Sequence, residues 1–178
     1  MKILKNEELN RPGIRTYQSL EKMNLTVVLD NVRSGMNIGS VFRSADSFLV
    51  EQLVLCGISA CPPDREILKT ALGATESVTW SYFDSTYAAL KELKEKGYRI
   101  WAVEQCQNSI PLNSISVTDS PVALVFGHEV KGVDPALAPL IDGCIEVPQS
   151  GTKHSLNIAV CAGIVLWEFY KNKVLENS

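Results

Sequence analysis

Short apolar runs rich in β-branched residues punctuate the chain: LTVVLD from Leu25, QLVLCG from Gln52, YRIWAVE from Tyr98, PVALVFG from Pro121 and CIEVP from Cys144. Several are apolar at successive rather than alternate positions, the pattern of parallel strands covered on both faces. Between them the period changes. Ile38, Val41, Phe42, Ala45 and Phe48 recur at i, i+3, i+4, i+7 and i+10, giving a helix from Asn37 to Phe48 one apolar stripe. Thr86 to Lys96 predicts an amphipathic helix stopped by Gly97. Asp134 and Pro135 predict the cap and first turn of a short helix through ALAPLI. Ser155 to Tyr170 reads as a long terminal helix, buried for most of its length. Strands separated by helices imply an α/β domain with a mainly parallel sheet flanked by helices. Residues 1–24 read as a polar N-terminal extension holding at most one short helix, and 25–178 as a single domain.

Composition narrows the class. With 178 residues, 46% of them hydrophobic and 21% charged, the chain can bury a full core and does not read as disordered. MKILKNEELNRPG holds no apolar run of a signal peptide. Ile158 to Trp167 is about half of a membrane span. Cys56, Cys61, Cys106, Cys144 and Cys161 show neither paired nor metal-ligand spacing, so reduced thiols in a cytoplasmic protein are expected. His128 and His154 are the only histidines, and no metal is expected. A net charge of −3 argues against coating nucleic acid non-specifically but leaves room for a local basic site.

Three loops at strand ends carry candidate chemistry, where ligands of such sheets bind. DNVRSGMNIGSVFRSADSF leaves a strand and enters a helix; Gly39, one turn before Arg43, would leave room for a substrate beside the guanidinium. The alternative is a solvent-facing arginine. FGHEVKGVDP has glycines that let backbone approach a ligand closely, or that simply make a tight turn; it lacks phosphate-loop and dinucleotide spacings. In VPQSGTKHSLNIAVCAGI, Ser155 or a neighbour would cap the terminal helix, and Asn157 either clamps another loop or touches substrate.

In this order the loops resemble the signature motifs of the SpoU (TrmH-like) RNA ribose methyltransferases of the SPOUT superfamily. The matching pieces are Asn37, Gly39 and Arg43 in N-x-G-x-x-x-R; Phe126, Gly127, Glu129 and Gly132 in F-G-x-E-x-x-G; and Pro148, Gly151, Ser155, Leu156 and Asn157 in P-x-x-G-x-x-x-S-L-N. The resemblance runs from about Leu25 to Tyr170. It implies a C-terminal deep trefoil knot, a homodimer, and S-adenosylmethionine held near Glu104, Gly127, Val147, Ser155 and Leu156. It implies a catalytic set of Arg43, Asn37, Glu129, Ser155 and Asn157, acting on a ribose 2′-hydroxyl of tRNA or rRNA. The added RNA-binding domain common in the family is not recognised here, so RNA capture would fall to Arg33, Arg43, Lys131, Lys153 and His154, with Arg11, Arg15 and Lys69. The sequence departs from the family pattern at His128, Gln149 and Ala159, where Asn, Met and Ser are frequent. A catalytically silent RNA-binding relative, or a methyltransferase on a small molecule or protein, are the competing functions.

Overall fold

A computed structural model describes residues 1–116 and 119–175, with Asn6 described by its backbone alone; 176–178, the end of the expected domain, lie outside the described residues. Strands β1 (Met23–Asp30), β2 (Val50–Cys56), β3 (Thr79–Phe83), β4 (Arg99–Val103), β5 (Ile110–Pro111), β6 (Val122–Phe126) and β7 (Gly143–Glu146) form one sheet in the order β3-β2-β1-β6-β4-β7-β5. Every pairing is parallel. Helices α1 (Ile14–Ser19), α2 (Gly35–Ser47), α3 (Arg65–Ala71), α4 (Ala74–Ser77), α5 (Thr86–Glu95) and α6 (Ile158–Tyr170) surround it.

The continuous apolar runs belong to the central strands. β6 is buried throughout and β1 at every position but Asn24. Successive strand residues point to opposite faces. Val27, Leu29, Leu53, Leu55 and Leu124 meet a core that includes Ile38 and Phe42 of α2 and Ala162 and Leu166 of α6. Val28, Val54, Ala123 and Val125 meet Ala89, Leu90 and Leu93 of α5. The strand TWSYF of β3, absent from the sequence expectation, sits at the sheet edge and is only partly covered, so it carries no long apolar run. The ALAPLI segment is a 3₁₀-helix, Pro135–Leu140, with Asp134 as its cap.

Strand order reverses beside β1, so the loops after β1, β6, β4 and β7 gather at the crevice that a parallel sheet opens there. A buried carboxylate fixes two of them. Asp30, at the end of β1, accepts from the Thr86 hydroxyl at 2.6 Å and the Asn31 amide at 2.8 Å through Oδ1, and from Asp134 N–H at 3.1 Å through Oδ2. A buried carboxylate is costly unless such donors surround it. Asp30 therefore ties the loop after β6 to β1 and α5.

Two expectations are corrected. The terminal helix starts at Ile158, later than the expected Ser155, because Asn157, two residues on from Ser155, is the neighbour that accepts the free N–H groups of its first turn. Nor are all the thiols reduced: Cys106 and Cys144 form a disulfide with a Cα–Cα distance of 6.2 Å. Neighbouring β4 and β7 bring together two residues that are 38 apart in sequence, so spacing along the chain gave no sign of the pair.

Candidate active site

The three motif loops meet through one hydrogen-bonded node. Glu129, in the loop after β6, accepts from Ser34 N–H at 2.9 Å and the Asn37 side-chain amide at 3.3 Å through Oε1, and from Arg33 N–H at 3.1 Å through Oε2. Asn37 in turn accepts from the Asn157 amide at 3.1 Å. Asn157 uses its own oxygen to cap α6, accepting from Ala159 N–H at 2.9 Å and Val160 N–H at 3.3 Å. One asparagine thus satisfies a helix end and joins the first and third motifs. It is exposed, a clamp on the surface of the crevice and not a polar residue within the core. Partial burial on its own would raise the Glu129 pKa. Hydrogen bonds from the backbone of Ser34, of Glu129 itself and of Arg33, with the Asn37 amide, outweigh it and hold the carboxyl below the ordinary glutamate value.

Close backbone packing shapes the loop that holds Glu129. A Cβ on Gly127 would lie 2.1 Å from the Gly132 carbonyl carbon and the Val133 nitrogen. The close approach that this glycine permits is therefore to the loop's own return. Gly132 has φ +71, and a Cβ there would lie 2.4 Å from a Glu104 carboxylate oxygen. Glu104, just after β4, accepts from Gln105 N–H at 2.9 Å and from Val133 N–H at 3.3 Å, pinning the two loops together. His128 Nδ1 accepts from Val130 N–H at 3.0 Å and Lys131 N–H at 3.4 Å. An asparagine oxygen can make the same local turn, which accounts for histidine at a position where asparagine is frequent.

A cleft of about 520 Å³ opens beside this node, lined among others by Glu104, Gly127, Glu129, Leu156, Ile158 and Cys161. Ser155, Lys131 and His154 line it as well. A neighbouring cleft of about 330 Å³ holds Val147 and Lys153 and shares His154. Gln105, which the sequence did not single out, donates to the His154 carbonyl at 2.6 Å and steadies the segment between the clefts. Burial, aided by the nearby Glu104 carboxylate, pushes the Cys161 thiol up to about 11, so it stays protonated at neutral pH. Among the described residues no group of three or more His, Cys, Asp or Glu could hold a metal ion.

Arg43 is elsewhere. It lines a separate open cleft of about 500 Å³ between α2 and α3, with no residue in common with the other two. Within one chain the guanidinium does not meet the cleft beside Glu129. Gly39 makes no room for a substrate: a Cβ there would lie 2.2 Å from Thr70 Oγ1 and 2.3 Å from the Ile67 carbonyl. It is buried where α2 crosses α3, and so belongs to the helix contact. Arg33 contributes its main-chain N–H to the node, while its side chain lines none of these clefts.

Comparison with known proteins places the same residues in a wider pattern. The model of the SpoU rRNA Methylase family matches residues 24–167. A 23S rRNA (guanosine-2′-O-)-methyltransferase RlmB of Nitrosomonas europaea is 32% identical over 166 residues, 89% of this chain and 63% of that protein. The chain thus spans less than two thirds of that relative's length. A tRNA (guanosine(18)-2′-O)-methyltransferase of Thermus thermophilus is 27% identical over 168 residues, 94% of this chain and 84% of that protein. Among solved structures, the A. aeolicus TrmH/SpoU tRNA modifying enzyme superposes with a TM-score of 0.81 at 26% identity, covering 92% of this chain and 82% of that one.

Proposed function

Because the chain belongs to the SpoU rRNA Methylase family, we propose that it moves a methyl group from S-adenosylmethionine to a ribose 2′-hydroxyl of structured RNA. What carries this function is the hydrogen-bonded node of Asn37, Glu129 and Asn157, which unites the three motifs at the lip of a cleft on the sheet's carboxyl edge. Transfer RNA is favoured over ribosomal RNA as substrate in this reading, a compact folded RNA being one that a single domain can grip. The protein works in the cytoplasm, residues 25–178 act as one catalytic domain, and the C-terminal segment is knotted as in the family.

The residues present fit the donor. Leu156, Ile158 and Phe126 offer apolar wall, and the Glu104 carboxylate offers charge to a cationic ligand. The volume is in the range of roughly 300–1,000 Å³ usual for small-molecule sites. When bound, S-adenosylmethionine supplies a methyl already made electrophilic by its sulfonium. Gly127, Val147, Ser155 and Leu156 hold it in this reading, with Glu104. Arg43 orients the RNA phosphate and stabilises the oxyanion as the hydroxyl proton leaves to water or a phosphate oxygen; a guanidinium is not itself deprotonated.

Arg43 and the donor cleft meet only if a second copy completes the site. A homodimer is supported by α6, whose Val160, Ile164 and Trp167 lie at i, i+4 and i+7 and are 52%, 39% and 45% exposed. An apolar stripe of this kind is unusual on a surface without a partner. Lys131, Lys153 and His154 at the cleft rims then face the RNA.

Incubation of the purified chain with total RNA and methyl-labelled S-adenosylmethionine, followed by nuclease digestion, tests the function. Label in a 2′-O-methylated nucleoside of the tRNA fraction is expected. Label in protein or small molecules, or donor binding without any transfer, would overturn it.

A further inference from the structure

The groove that contains Arg43 has a composition its surroundings do not share. It is lined by Ser40, Arg43, Ser44, Ser47 and Phe48 from α2 and its end, and by Lys69, Thr70 and Leu72 from α3 and its end. The chain has a net charge of −3, yet no carboxylate lines this groove among the described residues. Arg43 and Lys69 are both exposed, and among the described residues neither the Arg43 guanidinium nor the Lys69 ammonium makes a hydrogen bond or an ion pair. Lys94, Lys96 and Lys171 pair with acids, as Arg43 and Lys69 do not. Here two cations stand free on one wall each.

The hydroxyls add a second kind of chemistry. Ser40 donates to the Met36 carbonyl at 2.9 Å, Ser44 to Ser40 at 3.2 Å, Ser47 to Arg43 at 3.0 Å and Thr70 to Met36 at 2.9 Å. Their protons are engaged with helix carbonyls, which leaves oxygen lone pairs as acceptors. Phosphate needs donors and the cations supply them; a ribose hydroxyl needs an acceptor and the serine and threonine oxygens supply it. Phe48 is held by Trp167 and Tyr170 at centroid distances of 5.9 and 5.6 Å, which keeps its ring in place as apolar floor. Gly39 brings α3 close enough to α2 for Lys69 to share the groove with Arg43.

We propose that the groove between α2 and α3 is a ribose–phosphate seat for the RNA strand flanking the modified nucleotide. Arg43 and Lys69 grip phosphate, and Ser40, Ser44, Ser47 and Thr70 accept from ribose hydroxyls. The seat rests on the RNA reading above and assigns to α3 a part in binding.

Two variants from opposite walls test it, Lys69→Glu and Ser47→Asp, each placing a carboxylate in the groove while leaving Arg43 intact. The probe is a fluorescent oligoribonucleotide of mixed sequence, roughly ten nucleotides long, titrated at several salt concentrations. Each variant is expected to bind about tenfold more weakly, and Lys69→Glu to reduce the slope of log affinity against log salt by about 1. S-adenosylmethionine affinity should match wild type, and the melting temperature should fall by at most a few degrees, since each new acid sits in a helix's last turn. A merely structural Lys69, complementing the end of α3, would lower the melting temperature while leaving affinity and salt slope unchanged, and that outcome overturns the seat. Wild-type affinity and slope in both variants overturn it too, while methylation of RNA by the same proteins leaves the enzyme reading standing. Failure of the wild-type chain to methylate any RNA removes both.

Discussion

The node around Glu129 engages the start of α2 and the groove around Arg43 its later turns, and the two are built on opposite plans. At the node every polar group is partnered: Glu129 accepts three hydrogen bonds from residues near the start of α2, and Asn157 both donates to Asn37 and caps α6. In the groove the charged ends of Arg43 and Lys69 are without hydrogen-bond or ion-pair partners among the described residues. A saturated network is a rigid scaffold that can hold a small ligand in one pose. Free cations are suited to a polyanion that arrives from outside. The difference teaches that donor binding and RNA handling are separable in this chain, although their residues are close in sequence.

The largest expected effect comes from the groove. Arg43→Lys keeps the charge and loses the planar fork, and single-turnover methylation of RNA should fall by about 10²–10³. Next is the scaffold under both regions. Gly39→Ala should cost about 1–3 kcal/mol in urea unfolding, because its Cβ has no space against α3. A neutral Gly39→Ala would restore the idea that this glycine makes room for substrate. The node separates further. Asn157→Ala removes the cap and should cost about 1 kcal/mol, whereas Asn157→Asp keeps the accepting oxygen, loses the donor to Asn37, and should hold stability while weakening donor affinity. The smallest effect is that of pH. Glu129 titrates below its ordinary value, so its stabilisation is full above the unfolded pKa of about 4.3 and is lost as pH falls through the lower folded value. Glu129→Gln should flatten that acid limb of the stability profile.

Much of this was legible in the sequence. The continuous apolar runs marked β1, β2, β4, β6 and β7, since buried parallel strands need no alternation. The resemblance to the family's motifs, not the spacing alone, singles out Asn37, Glu129 and Asn157, which meet in one node. Sequence could not reveal partners set by topology. Asp30 reaches Asp134 across 104 positions, Gln105 reaches His154 across 49, and Cys106 pairs with Cys144 because β4 and β7 are neighbours. Helical spacing also misled. It put Gly39 and Arg43 on one free face, whereas α3 covers the first and leaves the second open.

Calorimetric titration of S-adenosylmethionine into wild-type and Arg43→Ala chains tests the separation of the two regions most directly. The account predicts equal affinity in both, with methyl transfer to RNA lost only in the variant. Absence of donor binding in wild type, or its loss on removal of Arg43, would contradict it.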